Sequence, residues 1–76
     1  MSKKLTGLYQ RLVEHFGSQK MTAEALGVEQ PSVWAWVNGK SKMSTEVAMA
    51  AERATNGKFK AADLRPSLKK FQALSA

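Results

Sequence analysis

This sequence predicts an all-α fold, a compact bundle of about five short helices, and three observations carry that prediction. Apolar residues return every three or four positions along most of the chain. Residues that start helices (Ser18, Pro31, Ser44) alternate with glycines that stop them (Gly17, Gly27, Gly39, Gly57). At 76 residues, 43% hydrophobic and without cysteine, the chain has room for one small domain and no disulfide or thiolate metal site to staple it. Large catalytic architectures are excluded on length alone.

The elements follow in order. Leu5, Leu8, Leu12, Val13 and Phe16 share one helical face, so the opening segment reads as an amphipathic helix ended by Gly17. Ser18 can accept a hydrogen bond from a free backbone N–H and so cap a second helix, Gln19 to Leu26, which Gly27 ends. Proline lacks an N–H and is tolerated only in a first turn, so Glu29-Gln30-Pro31 opens a third helix that carries Val33, Trp34, Trp36 and Val37. It ends at Asn38-Gly39, and a basic loop, Lys40-Ser41-Lys42, follows.

Ser44 or Thr45 can cap a fourth helix with a stripe of Val47, Ala48, Ala50, Ala51 and Ala54. Asn56-Gly57 breaks it. Lys58-Phe59-Lys60 alternates charge and aromatic, which fits one short strand near Phe59 with that ring turned inward. Ala61 to Leu64 makes a single helical turn before Pro66. The expected organisation is a domain over residues 1–66 and a C-terminal tail over 67–76, where Leu68, Phe71 and Leu74 recur at helix-like intervals.

Twelve Lys and Arg against six Asp and Glu give a net charge of +6, which points to a polyanionic partner. No apolar run nears the ~18 residues of a membrane span, and the first residues lack the apolar stretch of a signal peptide. A soluble cytoplasmic protein is expected.

The second and third helices carry the functional signal. Two helices joined by a tight glycine turn, the second opening on polar residues and leading into a basic loop, form the arrangement that seats a recognition helix in a DNA major groove. Counting from Gln19, the crossing needs a small residue at the fifth place, a glycine at the ninth, and apolar residues at the eighth, tenth, fifteenth and eighteenth. The chain supplies Ala23, Gly27, Leu26, Val28, Val33 and Trp36. These residues are core rather than contacts: anything larger than Ala23 would hold the helices apart, and Gly27 takes positive φ without steric cost.

Across Ser18 to Trp36, and on through Asn38-Gly39-Lys40, the chain resembles the phage Cro and repressor helix-turn-helix family. It is also similar to the small Cro-like and YdaS-type proteins of prophages, through Ala54-Thr55-Asn56-Gly57-Lys58-Phe59 and Asp63-Leu64-Arg65-Pro66. The resemblance implies a glutamine at the start of the second helix anchored to phosphate, which falls on Gln19 with Ser18 beside it. It implies base reading from outward positions of residues 29–38, here Gln30, Pro31, Ser32, Trp34 and Ala35. Gln30 is the strongest of these, since its amide can donate to and accept from an adenine edge at once, while Ser32 discriminates less.

Pro31 stands where relatives often carry a polar or small residue and can offer only apolar contact, such as with a thymine methyl. Trp34, bulkier than usual on that face, either touches a sugar or methyl group or lies partly buried against the fourth helix; the sequence leaves both open. Thr22 replaces the usual apolar residue at the fourth place. Lys40 and Lys42, with Asn38, sit where relatives bind phosphate, and Lys20 is a further candidate. Lys3 and Lys4 read as an ordinary terminus rather than an arm over the DNA.

Nothing assembles an active site. The lone His15 has no second His or Cys for a metal, the carboxylates are scattered, and no phosphate-cradling loop or cofactor site is present in the sequence. The resemblance implies a non-enzymatic, Cro-like repressor that binds operator DNA as a homodimer in a bacterial or phage-infected cell. Residues 58–68, carrying Phe59, Leu64 and Leu68, are the expected dimer contacts. The alternative is an antitoxin-like or adaptor module whose tail folds as an amphipathic helix on a protein partner.

Overall fold

The computed structural model describes residues 3–67. Within them the chain is all-helical, in the order α1 (Lys3–Phe16), α2 (Gln19–Leu26), α3 (Gln30–Val37), α4 (Thr45–Ala54) and α5 (Ala61–Leu64). It forms two compact units, one over residues 1–42 with α1 to α3 and one from Met43 onward with α4 and α5. The positions Leu68, Phe71 and Leu74, on which the tail expectation rested, lie outside the described residues.

In the first unit the three helices pack on one another. α1 buries Leu5, Tyr9, Leu12 and Val13, a face set by the i, i+4, i+7, i+8 repeat. Tyr9 was not anticipated from the apolar pattern, yet it is completely buried and its ring lies 6.1 Å from that of Trp36. Phe16 is half-buried and meets the His15 ring edge-on at 5.1 Å.

Ser18 then begins α2 in extended backbone, its Oγ accepting from the Met21 N–H at 3.1 Å. Thr22, the polar residue in an apolar position, is fully buried, and its hydroxyl donates to the Ser18 carbonyl at 2.7 Å. The hydrogen bond inside its own first turn removes the cost of burying that group.

α2 and α3 end in the same way. After α2, Gly27 adopts φ 70° and the Val28 N–H reaches back to the Ala23 carbonyl at 2.9 Å. After α3, Gly39 adopts φ 71°, its N–H donates to Trp36 O at 3.3 Å, and the Lys40 N–H donates to Ala35 O at 2.8 Å. Both are Schellman closures, which satisfy helix carbonyls that would otherwise be orphaned. At Gly27 a Cβ would meet nothing within 4 Å, so the need for glycine is entirely one of backbone angle.

The second unit is held by small residues and by side-chain hydrogen bonds at the starts of its two helices. Ser44, rather than Thr45, caps α4 through its Oγ, which accepts from Val47 N at 3.3 Å. Ala48 and Ala51 are fully buried, Val47 and Ala50 half-buried, and Ala54 is exposed, so the expected stripe is narrower than drawn from the sequence. Glu52 accepts from the Ala61 N–H at 2.7 Å and so anchors the start of α5.

Two expectations fail here. No strand is present near Phe59 among the described residues. Asn56 takes φ 53°, and the Phe59 N–H donates to the Thr55 Oγ1 at 3.2 Å, so a side chain holds the amide that a strand partner would have taken. The inward turn of Phe59 is observed, for it is buried. Nor can Phe59 and Leu64 serve as dimer contacts, because both are already buried in the single chain.

Gly27→Ala should destabilise the protein by about 1–2 kcal/mol, the steric cost of an L side chain in left-handed backbone, and Gly27→Asn by less, as read from urea denaturation midpoints. Glu52→Ala should cost roughly 1–3 kcal/mol by leaving the Ala61 N–H without its charged acceptor, whereas Glu52→Gln should retain most of that stability.

Candidate DNA interface

Every residue singled out from the sequence as a base or phosphate contact lies in the first unit, from Ser18 to Lys42. The alternation of burial along α3 explains which side chains are free. Val33 and Trp36, three apart, turn inward, with Trp36 only 4% exposed; Gln30, Pro31, Ser32 and Trp34 are left on the outer face. Trp34 is 49% exposed, so about half of its surface remains in water. Ala35 is half-buried, and its carbonyl accepts from both the Lys40 and the Ser41 N–H, at 2.8 and 3.3 Å. Its backbone thus closes the helix end, while its methyl keeps partial access to solvent.

Gln30, Pro31 and Trp34 do not stand alone on this face. Together with Gln19, at the first position of α2, they line an open, mainly apolar concavity of about 330 Å³. Residues one turn apart on a helix are neighbours, so Gln30 and Trp34 bracket it along α3 while Gln19 borders it from α2. The sequence reading named these four side chains separately, as base readers and a phosphate anchor; the fold brings them to one place.

The phosphate candidates separate into groups with different free chemistry. Ser18 spends its Oγ lone pair on the Met21 N–H, which leaves the hydroxyl proton to donate. Gln19 and Lys20 occupy the first turn of α2, where backbone N–H groups point out of the helix and the dipole favours an anion. Lys20, Lys40 and Lys42 are exposed. Asn38 is exposed too, but its Nδ2 already donates to Trp34 O at 2.8 Å, so much of its donor capacity closes α3.

The loop after α3 is equally constrained. The N–H groups of Asn38, Gly39, Lys40 and Ser41 all return to carbonyls of α3. These four backbone donors are therefore not available to an anion, and the exposed Lys40 and Lys42 side chains supply the cationic groups there. Glu29 was overlooked in the sequence as a feature of this face: it is the N-cap of α3, exposed, and makes no side-chain capping bond. Its position two residues before Pro31, in the first turn of α3, was the available signal. A carboxylate at that end tempers the positive field and can accept from a cytosine amino group.

Among the described residues no group of His, Cys, Asp or Glu could hold a metal ion, and no helix is long and apolar enough to cross a membrane.

Two helices crossing at a glycine turn, with the core side of the second filled and its polar side outward, define a small helix-turn-helix protein. The comparisons with known proteins narrow the class. The model of the family described as "Bacterial toxin YdaS" matches residues 9–72, and the chain belongs to that family. It is 49% identical over 72 residues to "Regulatory protein cro" of Pseudomonas phage D3, covering 95% of this chain and 97% of that protein. It is 40% identical over 52 residues to "Putative transcriptional regulator YdaS" of Escherichia coli (strain K12), covering 68% of this chain and 53% of that protein. Both relatives bear the names of regulators, and the chain falls in the class of Cro-like transcription regulators. No solved structure matches it.

The two tryptophans report on this geometry. Trp34→Phe should leave a single buried indole, with blue-shifted emission and weak acrylamide quenching. If the remaining emission stays red and readily quenched, the orientation assigned to α3 is wrong.

Proposed function

We propose that the protein is a Cro-like repressor that binds double-stranded operator DNA as a homodimer, with residues 29–38 as its recognition helix, and that it acts by occluding the promoter rather than by catalysis. The observation that carries this reading is the outward set Gln30, Pro31, Ser32 and Trp34 on α3, bordered by Gln19 and flanked by the exposed Lys20, Lys40 and Lys42. That is a base-reading face set between two cationic edges.

Each part has a physical task. Gln30 reads an adenine edge by paired donation and acceptance, and Ser32 adds a less selective bond. Ser18, Gln19 and Lys20 fix the start of α2 against one stretch of backbone, and Lys40 and Lys42, with the remaining capacity of Asn38, neutralise another. Because the N–H groups from Asn38 to Ser41 are spent on α3 carbonyls, the second contact is chiefly electrostatic, and it should weaken as salt rises.

Dimerisation follows from reach. An eight-residue helix is about 12 Å long and passes only three or four base pairs of ~3.4 Å each, too few for a useful specificity ratio. Two copies across half-sites ~34 Å apart double the address. The names of the relatives support a DNA-directed role of this kind, and a cytoplasmic location is the corresponding proposal for the compartment.

Selection of binding sites from a random duplex library at two salt concentrations should recover an inverted repeat with half-sites one helical turn apart. On that operator Gln30→Ala should cost about 1–3 kcal/mol and lose the preference for adenine at one position. Lys40→Ala should weaken binding to operator and random DNA alike and lower the salt slope by about one. Equal losses on both kinds of DNA for Gln30→Ala, or no enriched sequence, would remove the base-reading role.

A further inference from the structure

We infer that the concavity bounded by Gln19, Gln30, Pro31 and Trp34 is a receptor for the 5-methyl group of a pyrimidine in the major groove, with thymine as its native occupant. This rests on the DNA-reading function proposed above and specifies what that face recognises beyond hydrogen-bonding edges.

The chemistry of the four side chains sets the problem. Pro31 has no N–H and presents only ring carbons, and Trp34 leaves 49% of its surface in water, a cost that a protein with so small a core does not otherwise need to carry. Both lie on the outer face of α3 and share a concavity of about 330 Å³ with two glutamines, whose amides, with the indole N–H of Trp34, are the polar side-chain groups among its lining residues. Its lining residues include no cation, so from its rim Gln19 can offer a phosphate only amide N–H groups, and the apolar surface between the two glutamines is left for an apolar group. None of the exposed cations described in this unit, Lys4, Arg11, Lys20, Lys40 and Lys42, lines it.

Of the groups that double-stranded DNA presents in its major groove, the base edges offer N7, O6, O4 and amino groups, all polar. The apolar one is the methyl at C5 of thymine, shared chemically by 5-methylcytosine. An apolar wall beside an adenine-reading glutamine therefore has a defined complement. Distance agrees: Gln30 and Trp34 are four residues apart on α3, about 6 Å along its axis, which corresponds to about two base steps of ~3.4 Å. The methyl read by Pro31 and Trp34 should accordingly lie within two base pairs of the adenine read by Gln30.

The test uses the full-length protein and the duplex enriched by selection. Each thymine of one half-site is replaced in turn by deoxyuridine, which keeps the pairing and the major-groove O4 but lacks the methyl. Affinities are measured by fluorescence anisotropy for the wild type, Trp34→Ala and Trp34→Gln, whose folding is checked by circular dichroism. One deoxyuridine, within two base pairs of the Gln30-dependent adenine, should weaken wild-type binding about fourfold, the transfer free energy of one methyl-sized group. In both Trp34 variants the same replacement should cost less than twofold. With a C·G pair at that position, methylating the cytosine at C5 should strengthen binding of the wild type and not of the variants.

Insensitivity to deoxyuridine at every position, with the adenine preference still dependent on Gln30, would overturn the methyl pocket and leave the base-reading function standing; Trp34 would then be packing on a sugar. A deoxyuridine loss of the same size in wild type and Trp34 variants would place the methyl contact elsewhere and overturn the assignment too. Failure to enrich any sequence would overturn both proposals, since a methyl pocket would by itself enrich thymine.

Discussion

The close crossing of α2 and α3 at Gly27 is the constraint on which the candidate interface depends. Left-handed backbone at that one residue reverses the chain without a longer loop, and the Val28 N–H bonded to Ala23 O closes the turn. Ala23, nearly buried and carrying a single methyl, is what allows the two helices to approach. Given this crossing, Val33 and Trp36 must face inward and Gln30 and Trp34 outward, so the identity of the exposed face is settled by backbone geometry before any ligand is considered.

Most of this was legible in the sequence because the signals were local. Ser18 and Ser44 caps, the proline that opens α3, and the glycines after α2 and α3 each act within one helical turn, and the single turn at Ala61–Leu64 sits between recognisable breakers. The spacing from Gln19 marked the core positions of the crossing, Val33 and Trp36 among them, whereas the candidate contact residues were named through the resemblance to the Cro and repressor family. Their assembly into a shared concavity was not legible, because Gln19 and Trp34 meet only through the crossing of two helices.

The misreadings arose where the deciding partner is distant or unusual. Three alternating residues around Phe59 are too few to separate a strand from a turn, and the hydroxyl of Thr55, four residues upstream, decided for the turn by capturing the Phe59 amide. Phe59 and Leu64 were assigned to a dimer surface because nothing in the spacing showed what covers them; in the folded chain they are covered. Tyr9 escaped notice as core because a phenol in an apolar repeat reads as interfacial, although its ring packs tilted against Trp36.

The division of labour along α3 has an evolutionary reading. Trp36 and Val33 hold the helix in place, while Gln30, Pro31, Ser32 and Trp34 contribute little to holding it and are exposed. Substitutions at Gln30, Ser32 and Trp34 therefore weigh less on folding than those at Val33 and Trp36, in a protein with little stability to spare. If this face reads DNA as proposed, a lineage of such chains can drift to new target sequences one residue at a time without passing through unfolded intermediates.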